Sequence, residues 1–307
     1  FLSGSGAYEL KEWVRGQRIV LQKKANWWGD ALKAENTFMR ANAPILQYEI
    51  IADQNTAIAA LKSGEVDFVR SLDAKEYLRL LESDSLPNIQ SSAQETYSFT
   101  YLCYNLNSPI LQELAVRQAI AHAIPKKEIR KNVYQDEASN TSGPFSPLRK
   151  DLINDTLKSY TYDAGQSAEI LSAAAWSDND GDGLLDKDGQ LLSLRYLYNS
   201  ESQEKKAVGL ILQQELKKLG VELMVEGLEY SVFVQKIRSR DFDLFYSGKS
   251  SLPIPPDFSS SFHSSGANTG RNYANYQNAE VDSLVNLIAV ELDEKKRRDH
   301  ISRFLEI

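Results

Sequence analysis

The 307-residue chain is 42% hydrophobic and 25% charged, a globular composition that excludes disorder and low complexity. Its formal charge of -7 excludes nucleic acid as a natural partner, which needs a basic surface to displace counterions. No apolar run approaches the roughly 18 residues of a membrane span, and one cysteine, Cys103, leaves no intrachain disulfide framework.

Residues 8–13 and 18–23 alternate as strands should and are joined through Arg15-Gly16-Gln17, which predicts a hairpin. Ser3-Gly4-Ser5-Gly6 leads into a strand and not a helix, so a phosphate-binding glycine loop is excluded there. Residues 46–52 read as a strand, followed by a helix with Asp53 as N-cap and Gly64 as its stop. Glu65 and Asp67 have no histidine, lysine or metal-ligand cluster beside them and belong to the helix exit and turn. A short helix over residues 75–81 precedes the β-branched, aromatic segment 100–106, which is extended and places Cys103 as a small buried residue. Asn107-Ser108-Pro109 breaks it. Val116, Ala119, Ile120 and Ala123 then form one helical stripe, ended by Pro125, with another helix starting at Lys126.

Gly143-Pro144-Phe145-Ser146-Pro147 reads as a rigid loop and residues 163–176 as a helix. Asp178, Asp180 and Asp182, with Gly183, fall at positions 1, 3, 5 and 6 of a calcium-binding loop. Such close carboxylates repel one another, which a divalent cation would relieve. Gly189 stands at position 12, where a bidentate Glu belongs, and a strand over residues 191–196 replaces the exit helix. Asp178, Asp180, Asp182 and Asp186 are thus a candidate calcium site, with a solvated acidic hairpin as the alternative.

Residues 191–248 alternate β-α-β-α-β. Val208, Ile211, Leu212, Leu216 and Leu219 make the first helical stripe, closed by Gly220. A strand over 221–226, a helix over 230–238 and a strand over 242–247 complete it. This alternation predicts parallel strands with right-handed crossovers, and ligands beyond their carboxyl ends. The loops 198–201 and 247–251 are therefore the candidate ligand loops. Residues 247–275, rich in Ser, Pro, Gly and Asn, read as one long functional loop. No Gly-x-Ser-x-Gly elbow occurs, and His122, His263 and His300 have no metal-ligand spacing. Val281, Leu284, Val285, Ile288 and Leu292 form a last helical stripe, and residues 294–299 a solvated charged face.

In this order the segments resemble the solute-binding receptors of peptide-type ABC importers (family 5). Gly4, Gly6, Tyr8, Leu10, Trp13, Gly16, Ile19, Leu21, Asn26, Trp28 and Gly29 sit in register with that family's first signature. Residues 57–67 resemble its "A-x-x-A-L-x-x-G-E-I-D", and Tyr104-Asn105 with Val116-Arg117-Gln118-Ala119-Ile120 its strand, turn and helix. Tyr162, Asp163, Ala168, Leu171, Ala174 and Trp176 fit a further helix, and residues 275–282 resemble "Y-x-N-P-E-x-D-x-L". Phe242-Asp243-Leu244 and Gly248 match the strand and glycine of "G-W-x-x-D". There Lys249 replaces the Trp, Leu252 replaces an Asp that pairs with a peptide amino terminus in several members, and Tyr246 stands where one carries an Arg.

The resemblance implies an α/β, two-lobed periplasmic-binding-protein-like fold (class II type). Residues 1–97 would be part of lobe I and 98–307 most of lobe II, within a piece of a longer protein that starts in mid-motif and stops inside a helix. It also implies a monomeric, extracytoplasmic receptor, periplasmic or lipid-anchored at the cell surface, and no enzyme. Such a receptor captures oligopeptides in an interlobe cleft and delivers them to ABC permease subunits. Tyr101, Tyr198, Asn199, Tyr246, Gly248, Lys249 and Ser250 are the expected ligand contacts, because tyrosines offer stacking area plus a hydroxyl and strand backbone can pair with an extended peptide. The altered Lys249 region keeps open a different solute on the same fold: an oligosaccharide, a metal complex or a signal peptide. A metal-dependent hydrolase at the 178–186 loop is disfavoured, since that loop offers oxygen ligands without a general base.

Overall fold

The computed structural model describes residues 4–82, 89–141, 143–152, 157, 159–250 and 257–307. The chain divides into two compact units, residues 1–72 with 83–89, and residues 73–82 with 90–307. In the first, β1 (Tyr8–Val14) and β2 (Arg18–Lys23) form the hairpin, turning at Gly16, whose φ of 73° suits a residue without Cβ. β3 (Ile45–Glu49) adds antiparallel to β2. It is shorter than the run 46–52 suggests, because β2 begins at Arg18 and the Ile50 N–H turns to the Gln17 carbonyl at 2.8 Å. α1 (Gln54–Ser63) starts where Asp53 Oδ1 accepts the Thr56 N–H at 2.8 Å and ends at Gly64 in the left-handed region. The indole N–H groups of Trp27 and Trp28 both donate to the Ser5 carbonyl, at 2.8 and 2.9 Å, closing the glycine-rich entry onto the hairpin.

The second unit begins with α2 (Ala74–Leu81), capped by Asp73, and β4 (Ser98–Tyr104). Pro109 opens α3 (Pro109–Gln112), which leads to α4 (Leu114–His122) and α5 (Lys126–Asn132). Val116, Ala119, Ile120 and Ala123 are all buried, as their spacing requires. α6 (Ala164–Ala173) starts at the Asp163 cap. The acidic stretch is a hairpin, β5 (Asp186–Lys187) and β6 (Gln190–Leu191). Its Asp188-Gly189 turn has φ of 54° and 77°, the left-handed pair that favours this dipeptide. β7 (Ser193–Asn199), α7 (Gln203–Lys217), β8 (Glu222–Leu228), α8 (Tyr230–Ser239) and β9 (Leu244–Ser250) follow. α9 (Ser259–Phe262), α10 (Ala279–Val290) and α11 (Glu294–Glu306) complete the unit.

The sheet order is β4-β9-β7-β8, with β7 parallel to both β8 and β9, and β4 antiparallel to β9. One face carries Leu194, Tyr196, Tyr198, Leu244 and Tyr246 into a core with α4, α6 and α7. The other carries Leu197 and Phe245 against Phe233 and Ile237 of α8. A third cluster joins Phe258 to α10 and α11 through Val285, Ile288 and Phe304.

Two expectations need correction. Leu292 is 91% exposed and lies outside the α10 stripe, because α10 ends at Val290 with Glu291 as an extended C-cap and Asp293 caps α11, breaking the helical phase between them. The region expected as one loop from residue 247 begins as strand, since pairing with β4 carries β9 on to Ser250, and α9 occupies residues 259–262. Ser251 and Leu252 lie outside the described residues.

Gly209 lets α7 approach β7: a Cβ there would stand 2.6 Å from the Tyr196 ring, whose hydroxyl donates to the Lys205 carbonyl at 2.8 Å. Gly209→Ala should therefore cost about 1–3 kcal/mol by overpacking, despite alanine's better helix propensity, read as a lower urea midpoint at unchanged slope.

Candidate functional site

The carboxyl ends of β7, β8 and β9 meet at one edge of the sheet, and pairing there is incomplete. β9 pairs with β7 only through Tyr196↔Leu244 and Leu197↔Phe245, whereas its pairing with β4 continues through Ser98↔Ser250. Beyond Phe245, β4 and β9 thus run on as a two-stranded ribbon. The side of β9 that faced β7 is without a strand partner among the described residues. Gly248, Lys249 and Ser250 are exposed on this stretch.

Beside the ribbon, Asn199 ends β7 and its Oδ1 accepts the Glu201 N–H at 3.3 Å. The Ser200 N–H reaches the Leu228 carbonyl at 2.8 Å, tying the β7 and β8 exits together. Glu229 caps α8 by accepting the N–H groups of Ser231 and Val232 at 2.9 and 3.3 Å. The Ser231 hydroxyl and these amides hold its carboxyl below the usual range.

The expected tyrosines do not share one surface. Tyr246 and Tyr198 are only 8% and 7% exposed and face α7. Tyr134 donates to the Tyr246 hydroxyl at 3.0 Å, which donates to Thr100 Oγ1 at 2.8 Å. Burial raises the Tyr246 phenol, and the Tyr134 phenol strongly, so both stay neutral donors. Tyr198 packs where Gly227 of β8 leaves room, since a Cβ there would lie 2.6 Å from its hydroxyl. Tyr101 lies on the opposite face, edge-on to Phe245 with ring centres 6.0 Å apart, and burial raises its phenol too. Asn199, Gly248, Lys249 and Ser250 flank the open edge, with Tyr198 and Tyr246 beneath it.

Sequence reasoning missed Thr100 and Tyr134, which complete the hydroxyl chain. They meet Tyr246 only through pairing distant in sequence. The one local signal is the alternation that puts Thr100, Leu102 and Tyr104 on a common face. Glu204, in the first turn of α7, was also missed; burial and then Asp73 raise its carboxyl, with Lys205 opposing.

In the acidic hairpin, Asp178, Asp180 and Asp182 offer ligand oxygens within 4.8 Å of one another, all exposed. Asp178 also accepts the N–H groups of Gly181 and Gly183 at 2.7 and 3.0 Å, and Asp182 that of Leu184 at 2.7 Å. Asp186 is not in that group; its carboxylate accepts the Asn179 backbone N–H at 3.2 Å and Nδ2 at 2.9 Å. The oxygen-only set suits a hard cation, yet its own amides already close the loop. Ser265, His263 and Asp282 come together as a hydrolase might arrange them, but the geometry is wrong for proton relay. Ser265 Oγ and Asp282 Oδ1 both face His263 Nδ1, at 2.8 and 4.0 Å, while Nε2 faces Asn286 at 3.3 Å.

In α/β sheets ligands tend to sit beyond the carboxyl ends of the strands, where this sheet lacks a strand partner for β9 among the described residues. A family model described as bacterial extracellular solute-binding proteins, family 5 (middle), matches residues 2–271, and the chain belongs to that family. It is 29% identical over 285 residues to the oligopeptide-binding protein AppA of Bacillus subtilis, covering 92% of this chain and 50% of that one. The structure of that protein with a nonapeptide matches at a TM-score of 0.87 and 28% identity, over 99% of this chain and 58% of the other. NikZ from Campylobacter jejuni with Ni(L-His) matches at 0.83 and 25% identity, over 98% and 58%. The chain thus spans about half the length of the curated relative, 50%. Among the described residues no helix is long and apolar enough to cross a membrane.

Two outcomes test the packing of this edge. Tyr246→Phe removes the middle of the hydroxyl chain and should lower stability by about 1–3 kcal/mol, with Thr100→Val milder, as measured by chemical denaturation. Burial pushes the Cys103 thiol up to about 12. Native Cys103 should therefore react with iodoacetamide at pH 8 at least about 100-fold more slowly than in the urea-unfolded chain. Because the unfolded thiol loses its proton first, stability should fall as pH rises from about 8.5 toward the folded value.

Proposed function

We propose that this chain is the ligand-binding part of an extracytoplasmic ABC-importer receptor, which takes an extended oligopeptide as an added strand on β9 and delivers it to a membrane permease. The observation that carries this reading is the open side of β9 past Phe245. Backbone N–H and C=O groups there can bond to any peptide backbone, independent of its side chains.

Gly248 supports it. Glycine weakens a strand, yet this one has no positive φ, and a Cβ there would meet only Phe99 O at 3.6 Å and Thr100 Cγ2 at 3.7 Å. The fold tolerates a side chain at this position; close approach of a second backbone does not. The proposed contacts are Asn199, Gly248, Lys249 and Ser250, with Tyr101, Tyr198 and Tyr246 as supports. The likeness to a receptor described with a nonapeptide agrees with this reading. A second reading, a small metal complex on the same fold, draws on the likeness to NikZ with Ni(L-His) and on Lys249, which introduces a charge at the edge.

The test is native mass spectrometry of the protein at the full length of its relatives, purified without refolding. A ladder of peptide masses supports the first reading; one discrete metal-containing mass favours the second. Gly248→Val should keep the melting temperature within about 2 °C, because β-branched residues suit strands. It should weaken peptide binding at least about tenfold, as backbone approach is lost, measured by titration calorimetry.

A further inference from the structure

Lys249 is exposed on the ribbon, opposite Phe99 in the β4–β9 register, and shares its face with Phe245 and Tyr101. Its ammonium donates to Ser261 Oγ of α9 at 2.8 Å and makes no ion pair among the described residues. Lost hydration lowers its basicity, with Asp257 opposing and Arg271 adding to the effect. The Asp257 carboxylate is occupied elsewhere: it accepts the Ser259 N–H at 2.9 Å and the Ser259 hydroxyl, capping α9. Arg271 is exposed and has no carboxylate partner among the described residues. The adjoining segment 251–256, Ser-Leu-Pro-Ile-Pro-Pro, contains no charge. Among the described residues, neither Lys249 nor Arg271 thus has an ion-pair partner, in a chain whose net charge is -7.

The Lys249 ammonium has a hydroxyl partner but no carboxylate partner among the described residues, and an added strand can supply one. Residues directly opposite on paired strands have Cβ atoms about 4.5–5.5 Å apart, close enough for an opposite-charge pair. We propose that Lys249 is a specificity residue selecting peptides with an acidic side chain at the position that pairs with it on the open side of β9. The ligand class is then an acidic oligopeptide. The inference rests on the peptide reading above.

The test uses C-terminally amidated pentapeptides of alanine with one Glu or one Gln scanned through the positions, titrated calorimetrically into the full-length protein. The expected result is a Glu-over-Gln preference of at least about fivefold at one position, smaller at 0.5 M salt. It should be kept in Lys249→Arg and abolished in Lys249→Met, with thermal melts confirming that both variants fold. No preference at any position, or one that survives Lys249→Met, overturns the proposal while leaving peptide binding intact. Failure of every peptide to bind overturns the peptide reading, and this inference with it.

Discussion

The second unit depends on the ladder between β4 and β9. β9 is an inner strand, with β4 on one side and β7 on the other, so this pairing joins the early part of the unit to the β-α-β-α-β segment. The ladder is anchored where β9 begins. Asn105, 3% exposed, donates through Nδ2 to the carbonyls of Arg240 and Phe242 at 3.0 and 2.8 Å and accepts from Asn275 Nδ2 at 3.1 Å. Arg240, left-handed at φ 62°, sends its guanidinium to Asn275 and to the carbonyls of Ile237, Arg238, Gly270 and Asn272. It lies 5.0 Å from the centre of the Tyr273 ring. Losing one member would leave buried partners unsatisfied, which costs more than the bond's net contribution.

The other end of the same strand is built differently. From Tyr246 to Ser250 it has, among the described residues, one neighbour where an inner strand has two. Tyr246 packs down into the α7 side, while Gly248, Lys249 and Ser250 contribute nothing to the buried cores. One seven-residue element is thus anchored at its entry and bare at its exit, where the proposed recognition would take place. Rigid support beneath a bare edge would suit the proposed receptor, since a preorganised backbone lowers the ordering cost of binding.

How much of this was readable in the sequence follows from the range of the forces involved. The hairpin at Gly16, the Asp53 and Gly64 limits of α1 and the buried stripe of α4 are local in origin, and periodicity and capping chemistry disclose them. The family resemblance pointed to the Gly248 region, which the structure leaves exposed past the end of β7. The hydroxyl chain of Tyr134, Tyr246 and Thr100 was not readable, because its members are remote in sequence and tyrosine in a strand fits core and cleft alike. The end of β9 was misjudged for the same reason: Ser-Gly-Lys-Ser has loop-forming composition, and pairing with β4 overrides it. Leu292 shows the reverse case, a residue in the correct phase beyond the end of its helix.

The position of β9 in the sheet also dictates the order in which the unit can assemble. β4 and β7 precede it in sequence but are not neighbours; the strand that separates them is the last of the sheet to be made. Until that segment emerges, each presents an unpaired side, and the sheet cannot close. The closing contact spans a long stretch of chain, and such contacts form slowly because loop entropy must be overcome first. Folding of this unit should thus be a late, all-or-none event, with the β4–β9 ribbon appearing in the same step that completes the sheet.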